Sequence, residues 1–360
     1  MLSLSFPAWS ILALATLVVS ALATRASIVY AQRRHLLDMP GRRRSHSQPT
    51  PRGGGIGIVI AVLASLVCLD AISGAGSESS ASIGWLAAIA LVALVGWIDD
   101  HRGLPASLRF LAHCLAALLL GLPGMFLLLP DLFANPAWPL IIMAIGVAGV
   151  GVVWSINLHN FMDGINGLLS LQVLFVFVAL ASVCVAAERL AEAQLLGLFA
   201  AATLGFLPFN FPQARVFMGD VGSGVLGLLV AVAVGVQIAA VPEALACGLI
   251  ACSAFVVDSS ATLLSRMLSG RRWYSAHREH LYQWLVRSGF SHLQVTGLYM
   301  LWNLLVVAPA LFWLCRSNAN QKSDSAIAVA SVYTAALLIW VFGKRFCLNR
   351  KMSALRTRES

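Results

Sequence analysis

Long apolar runs broken by short polar clusters define this chain. Runs lie near residues 5–30, 54–72, 81–98, 108–129, 137–156, 168–187, 194–209, 223–241, 244–268, 293–315 and 325–343. Most approach the ~20 residues that cross a bilayer core as a helix. Only helices and closed barrels satisfy every backbone group in lipid. The pattern therefore predicts an all-α polytopic membrane bundle of about 10–11 transmembrane helices. We read residues 1–360 as a single integral-membrane domain ending in a basic tail, 344–360. The weakest segments are 108–129, which holds Gly121, Pro123 and Gly124, and the short 194–209. The first run, Leu2 to Thr24, has no basic leader and no small-residue cleavage pattern, so it reads as a retained helix.

Composition agrees. The chain is 59% hydrophobic and 11% charged, more apolar than a soluble domain of this length can hide. The formal charge of +9 would suggest nucleic acid in a soluble protein, but topology explains it better. With the amino terminus outside, 21 of the 24 Lys and Arg residues fall inside, leaving Arg189, Arg316 and Lys322 outside. That asymmetry orients the bundle, supports an odd number of spans and puts the carboxyl tail in the cytoplasm. The seven cysteines are scattered, with no C-x-x-C pair, and read as small packing residues.

In this orientation five polar clusters share the inner face. They are Asp38-Met-Pro through Arg52-Gly-Gly-Gly55, Asp99-Asp100, Asn157 through Gly167, Asn210 through Ser223, and His277-Arg-Glu-His280. Carboxylates and amides beside lipid are costly unless used or paired. Adjacent Asp99 and Asp100 repel each other, so one can serve as a base or help hold a metal; a solvated helix end is the bland alternative. Arg109 lies one to two turns into the following helix, where it can face a phosphate. Asn157, Asn160, Asp163 and Asn166 recur every third residue, which helical or turn-like backbone would place on one stripe suited to a divalent ion and a polar ligand. Interhelical hydrogen bonding is the competing role. Glycines around Asp220 expose backbone N–H groups to an anion at a helix start, and Asp220 can bind the Mg2+ that such an anion brings. The basic loop Arg271-Arg272 with His277, Arg278 and His280 suits a diphosphate. Arg52 sits on a flexible glycine turn, whereas Arg42, Arg43 and Arg44 read as a topology signal. His113 and His292 read as structural. Asp258, inside the ninth run, is an intramembrane acid that either acts or pairs with a basic residue of the inner loops.

Together these motifs resemble the polyprenyl-phosphate N-acetylhexosamine-1-phosphate transferase family, whose members start O-antigen, enterobacterial common antigen and teichoic acid synthesis. The family also includes the phospho-MurNAc-pentapeptide transferase and the eukaryotic dolichol-phosphate enzyme. The matching pieces are Asp38-x-Pro with Pro51-Arg-Gly-Gly, Asp99-Asp100, Asn157-x-x-Asn-Phe-Met-Asp-Gly, Asn210-x-Pro with Phe217-Met-Gly-Asp-x-Gly-Ser, and His277-Arg-x-His-Leu-Tyr-Gln. They occur in the family's order from about residue 38 to 292. The resemblance implies transfer of a sugar-1-phosphate from a UDP-N-acetylhexosamine to undecaprenyl phosphate, with release of UMP. It further implies Mg2+ as cofactor, with Mn2+ as a substitute, residence in the bacterial inner membrane with the site facing the cytoplasm, and a homodimer.

By the same resemblance Asp99 or Asp100 assists the lipid phosphate, Asp163 lies beside the diphosphate, and Asp220 holds the metal with Asn160. Asn166 and Phe217 hold the uracil and Asn210 supports the nucleotide pocket. His277, Arg278 and His280 grip the diphosphate or sugar, and Arg52, Arg109 and Asn157 complete the substrate-contacting set. Many bacterial relatives carry an Asp where this chain has Asn166, a poor base, so Asn166 is excluded from catalysis. The His-Arg-Glu-His loop differs from the His-His-His run of the muramoyl-pentapeptide branch. It points to the O-antigen-initiating branch, with UDP-GlcNAc or a 6-deoxy relative such as UDP-FucNAc or UDP-QuiNAc as donor. A transporter or flippase of a lipid-linked solute is the rival class. It would place its site near the midplane, often between repeats, and no repeat is visible.

Overall fold

The structure, a computed structural model, describes residues 3–39, 49–73, 80–132, 138–238, 244–272, 275, 277–316 and 322–359. Arg42, Arg43, Arg44 and His46 of the basic loop lie outside the described residues.

The chain folds as α1 (Phe6–Arg33), a two-stranded ribbon of β1 (Leu37–Asp38) and β2 (Thr50–Pro51), then α2 (Ile56–Ser73), α3 (Ser80–Arg102), α4 (Ala106–Leu132) and α5 (Trp138–Met162). It continues through α6 (Leu168–Ala186), α7 (Leu190–Asn210), α8 (Asp220–Ile238) and α9 (Ala244–Leu268). A short α10 (Leu281–Arg287) precedes α11 (His292–Trp302), a π-helical turn (Asn303–Val307), α12 (Ala308–Arg316) and α13 (Lys322–Glu359). Among the described residues nine helical segments are long and apolar enough to cross a membrane; Ile56–Ile72 and Ala106–Gly121 are shorter apolar helices. Among the described residues every predicted run is essentially helical, and the protein is an all-α, multi-pass membrane protein. The weak segment 194–209 is part of a full-length helix, Leu190–Asn210.

α8 is the central helix, packed against α2, α3, α5, α6, α7 and α9. Val221 through Val230 are all buried, which explains a sequence that is apolar on every side instead of along one stripe. Peripheral helices instead leave large apolar side chains outward, such as Leu14, Leu22, Phe312 and Phe342. In lipid these need no partner.

Close backbone approach fixes how the helix ends near Asp220 meet. Gly96 on α3 lies against the backbone of Asp220 and Val221, where any Cβ would collide. Gly55 and Gly222 meet in the same way. Small residues permit such contacts between membrane helices, which have little hydrophobic drive to associate. The ribbon pairs Leu37 with Pro51 and Asp38 with Thr50. Three further backbone bonds fasten its exit to the segment before α8: Phe217 N–H to the Pro51 carbonyl (2.8 Å), Gly54 N–H to Phe217 (2.9 Å) and Gly55 N–H to Met218 (2.9 Å). Arg52 is thereby delivered beside Asp220.

Gly96→Ala should therefore cost about 1–3 kcal/mol by overpacking, because the facing atoms are backbone and cannot rotate away. A thermal melt in detergent should show Tm lowered by several degrees. Gly297→Ala, where the added methyl meets nothing within 4 Å, should leave Tm unchanged or raise it.

Candidate active site

Asp99 and Asp100 end α3, and Asp220 begins α8 after Gly219, whose φ is +77°. The first amides of a helix lack internal partners. Asp100 fills that need from outside: it accepts the Asp220 N–H at 2.9 Å and the Val221 N–H at 3.1 Å. The Arg52 guanidinium then bridges two acids, with Nε 2.8 Å from Asp100 and Nη2 2.8 Å from Asp220. Arg109 makes a second bridge, with Nη1 2.8 Å from Asp99 and 3.0 Å from Asp220. Three carboxylates and two guanidiniums form one chain of contacts across β2–α2, α3, α4 and α8. The two adjacent acids are unequal. Asp100 is locked onto immobile backbone amides. Asp99 accepts the Leu104 N–H, and its other oxygen accepts from Arg109, a side chain shared with Asp220.

Asn157 and Asn160 lie one turn apart on α5. The Asn157 amide donates to the Val153 carbonyl at 2.7 Å and stands 3.3 Å from His113 Nδ1, while Asn160 donates to Ser223 Oγ at 3.2 Å. The expected stripe stops there, because α5 ends at Met162. Asp163 turns toward Arg52, Asp100 and Asp220. Burial first, and then Asp220, push its carboxyl up to about 7 against the pull of Arg52. Asn166 leaves the group: its side chain donates to the Pro212 carbonyl at 3.3 Å and its N–H faces His292.

Asn210 is spent within the protein, accepting the Gly167 N–H at 2.9 Å and donating to the Val216 carbonyl at 3.0 Å. It ties the start of α6 to the Phe217 segment and so supports a pocket instead of touching a ligand. Phe217 is half-buried beside that tie.

His277 and His280 share a cavity wall with Arg109, Asn157, Asn160 and Asp220, so the fourth and fifth motifs do converge. Their rings are 4.9 Å apart, and His280 stacks between Phe161 and Tyr282. His277 is held down to about 4, first by burial and then by His280 and Arg266; burial also lowers His280. These imidazoles are therefore neutral hydrogen-bonding groups near pH 7, and the positive charge of the loop comes from its arginines. The Arg278 carbonyl accepts from Arg287 at 3.1 Å.

Sequence reasoning missed Arg266 and Glu279, which form an ion pair under this loop; Arg266 also bonds the Arg272 carbonyl at 2.8 Å. A lone arginine at an inner helix end looked like a topology signal. It missed His113 as well, which lines the cavity.

The cavity, about 1490 Å3, extends from these polar groups along α3, α4, α5 and α8 to Ala231 and Gly235, with walls that include Val92, Phe110, Leu118, Ile145 and Val152. A smaller polar pocket of about 450 Å3, holding Asp38, Arg52, Asp100 and His101, adjoins the charge chain. Among the described residues no three His, Cys, Asp or Glu side chains form a ready metal cage. Asn160 and Asp220 line the cavity together, and Asp163 is electrostatically coupled to Asp220, so the site offers a sparse supply of hard oxygen donors. That set fits a small divalent cation which takes one or two carboxylates and the rest of its shell from phosphate and water.

The family model described as Glycosyl transferase family 4 matches residues 82–237. A "Decaprenyl-phosphate N-acetylglucosaminephosphotransferase" of Mycobacterium leprae is 28% identical, covering 92% of this chain and 90% of the relative. A Bacillus subtilis protein named "Probable undecaprenyl-phosphate N-acetylglucosaminyl 1-phosphate transferase" is 27% identical over 77% of this chain and 79% of its own. Over residues 82–237 the chain is thus similar to the family-4 glycosyl transferases, and over most of its length, at 27–28% identity, to proteins named as polyprenyl-phosphate N-acetylglucosamine-phosphate transferases. A "Phospho-N-acetylmuramoyl-pentapeptide-transferase" of Deinococcus radiodurans is 34% identical, but over 51% of this chain and 60% of the relative. The match spans α3 to α8, the segment that carries Asp99, Asp100, Arg109, Asn157, Asn160, Asp163 and Asp220.

The histidines make stability depend on pH. The unfolded chain protonates both near 6.5, whereas the folded chain holds His277 near 4. The unfolded state therefore binds more protons between those values, and native stability falls as pH drops through the window. Asp163, whose folded carboxyl is raised to about 7, acts with the opposite sign over the same range, so the histidine share is read by difference: His277→Asn should keep more of its Tm in detergent than the wild type as pH falls from 7 to 5.

Proposed function

We propose that this protein transfers N-acetylhexosamine-1-phosphate from a UDP-sugar to undecaprenyl phosphate and releases UMP. The carrying observation is the junction of the Asp99–Arg109–Asp220–Arg52–Asp100 chain with a long, mostly apolar cavity. A polyprenyl phosphate is divided in the same way, with a charged head on a hydrocarbon chain. The relatives' names support N-acetylglucosamine as the sugar, so UDP-GlcNAc is the proposed donor, with the 6-deoxy sugars UDP-FucNAc and UDP-QuiNAc as competitors. Initiation of O-antigen or a comparable envelope polysaccharide is the proposed role. The positive-inside bias supports an inner-membrane enzyme whose site and carboxyl tail face the cytoplasm.

In this reading a lipid-phosphate oxygen attacks the phosphorus that bears the sugar. The new P–O bond forms as the bridging bond to UMP breaks, and the bridging oxygen leaves with UMP. Two anions must meet, so the protein contributes charge neutralisation and alignment. Arg109 turns from Asp99 to the incoming phosphate, and the released Asp99 oxygen takes any proton left on the lipid phosphate. Asp100 keeps the α8 terminus and Arg52 in register. Asp220 and Asp163, with Asn160, hold Mg2+ (or Mn2+). When bound, that ion supplies Lewis-acid stabilisation of the diphosphate oxygens. His277, Arg278 and His280 bind the diphosphate or sugar, and Phe217 stacks on the uracil with Asn166 at its edge.

The roles of the adjacent acids separate by experiment. Asp99→Asn should lower kcat by about 100-fold or more with Tm nearly unchanged, as expected when a group acts chiefly in the transition state. Asp100→Asn should lower Tm as well, because an amide is a poorer acceptor for the α8 amides and Arg52.

The reaction itself is tested with protein in detergent, undecaprenyl phosphate, Mg2+ and a panel of UDP-N-acetylhexosamines, recording UMP and the lipid product. Lipid-dependent UMP is expected, fastest with UDP-GlcNAc, and Asp220→Ala should reduce it by at least about 100-fold. Folded protein that releases no UMP with any donor would overturn the reading, and transport assays would follow.

A further inference from the structure

Asp258 lies in the inner half of α9, 2% exposed, outside the charge chain described above. A carboxylate in that position needs partners, and all of its close ones come from the segment that carries the histidines or from helices beside it. Its Oδ1 accepts the Leu281 N–H at 2.7 Å, and its Oδ2 accepts the Tyr299 hydroxyl at 2.6 Å and the Tyr282 N–H at 3.4 Å. Thr262, one turn along α9, donates at 3.3 Å. The expected basic partner is absent from these bonds: His280 Nδ1 stands 3.9 Å away and has no hydrogen bond. Asp258 thus anchors the start of α10 at the residue that follows His280.

The consequences run outward from that anchor. His280 is the N-cap of α10, so fixing Leu281 and Tyr282 fixes its backbone. The Tyr282 ring stacks on His280, and its hydroxyl donates to the Phe161 carbonyl at 3.0 Å, against Gly164. Phe161 closes the other side of the imidazole. One carboxylate therefore ties the histidine loop of one motif to the end of α5, where Asn160 and Asp163 of another motif sit. Farther along α9, Arg266 holds the same loop through Glu279 and the Arg272 carbonyl.

We propose that Asp258 is a positioning residue for the transfer reaction: from within α9 it sets the place of His280 relative to Asn160 and Asp163. The proposal rests on the transferase reading. It assigns Asp258 no contact with substrate, so its effect should appear only through His280.

The test is a double-mutant cycle between Asp258→Asn and His280→Ala, measured as UMP release with UDP-GlcNAc and undecaprenyl phosphate varied in turn. Asp258→Asn should lower kcat/KM for the nucleotide sugar about tenfold or more and change KM for the lipid phosphate by less than about twofold. His280→Ala should then cost less than about threefold further in the Asp258→Asn background, although it is damaging alone. Near-normal activity of Asp258→Asn, or losses that simply multiply, would overturn the proposal. Where Asp258→Asn fails to give folded protein, Tyr299→Phe removes one of its partners and keeps the ring. It should show a smaller loss with the same non-additivity, and multiplying losses there would overturn the proposal equally. Wild-type protein that releases no UMP defeats the transferase reading instead. The anchor is then read from trypsin cleavage after Arg278, faster in the variant if Asp258 holds the loop and unchanged if it does not.

Discussion

Three carboxylates at the edge of lipid cannot stand alone, and the inner end of this protein is built around that constraint. Asp99, Asp100 and Asp220 come from two helices that Gly96 lets approach backbone to backbone. Their mutual repulsion is relieved by Arg52 and Arg109, delivered from opposite sides by the ribbon exit and by α4. Each arginine touches two acids, so removing one partner strands others. Asp100 adds a second duty by satisfying the open amides of α8, the most enclosed helix of the bundle. The site and the fold are therefore held by the same contacts.

The charge chain also divides the molecule chemically. On one side lie carboxylates, guanidiniums and neutral imidazoles; on the other an apolar cavity follows α3, α4, α5 and α8 to Ala231 and Gly235. A ligand with a charged head and a long hydrocarbon tail is favoured at both ends of such a space, and a fully polar or fully apolar ligand at one. The histidine loop closes the polar end. It is held from α9 by an acid at one point and an arginine at another, each bonding backbone groups of the loop or of α10. Backbone anchoring leaves the histidine side chains free for a ligand.

The membrane class and the helical runs were legible in the chain because each follows from local physics: apolar length and backbone satisfaction. The five polar clusters stood out for the same reason, as costs that lipid does not forgive. Periodicity succeeded for Asn157 and Asn160 and failed at Asn166, because the three-residue spacing outlasts the helix that gave it meaning. Arg266 left little sequence signal, and Glu279 and Tyr282 stood inside the fifth cluster without a readable role, because their partners are set by the folded loop.

Residue chemistry and spacing alone determined that charged, phosphate-suited groups gather at one face of a helical membrane bundle. Only the tertiary structure decided which of them meet. It split Asp99 from Asp100, gave Asn210 its bonds to the Gly167 amide and the Val216 carbonyl, and gave the buried Asp258 its partners among the amides of α10. Hydropathy is read one residue at a time, whereas an ion pair or a capped amide exists only where two distant segments are brought within about 3 Å.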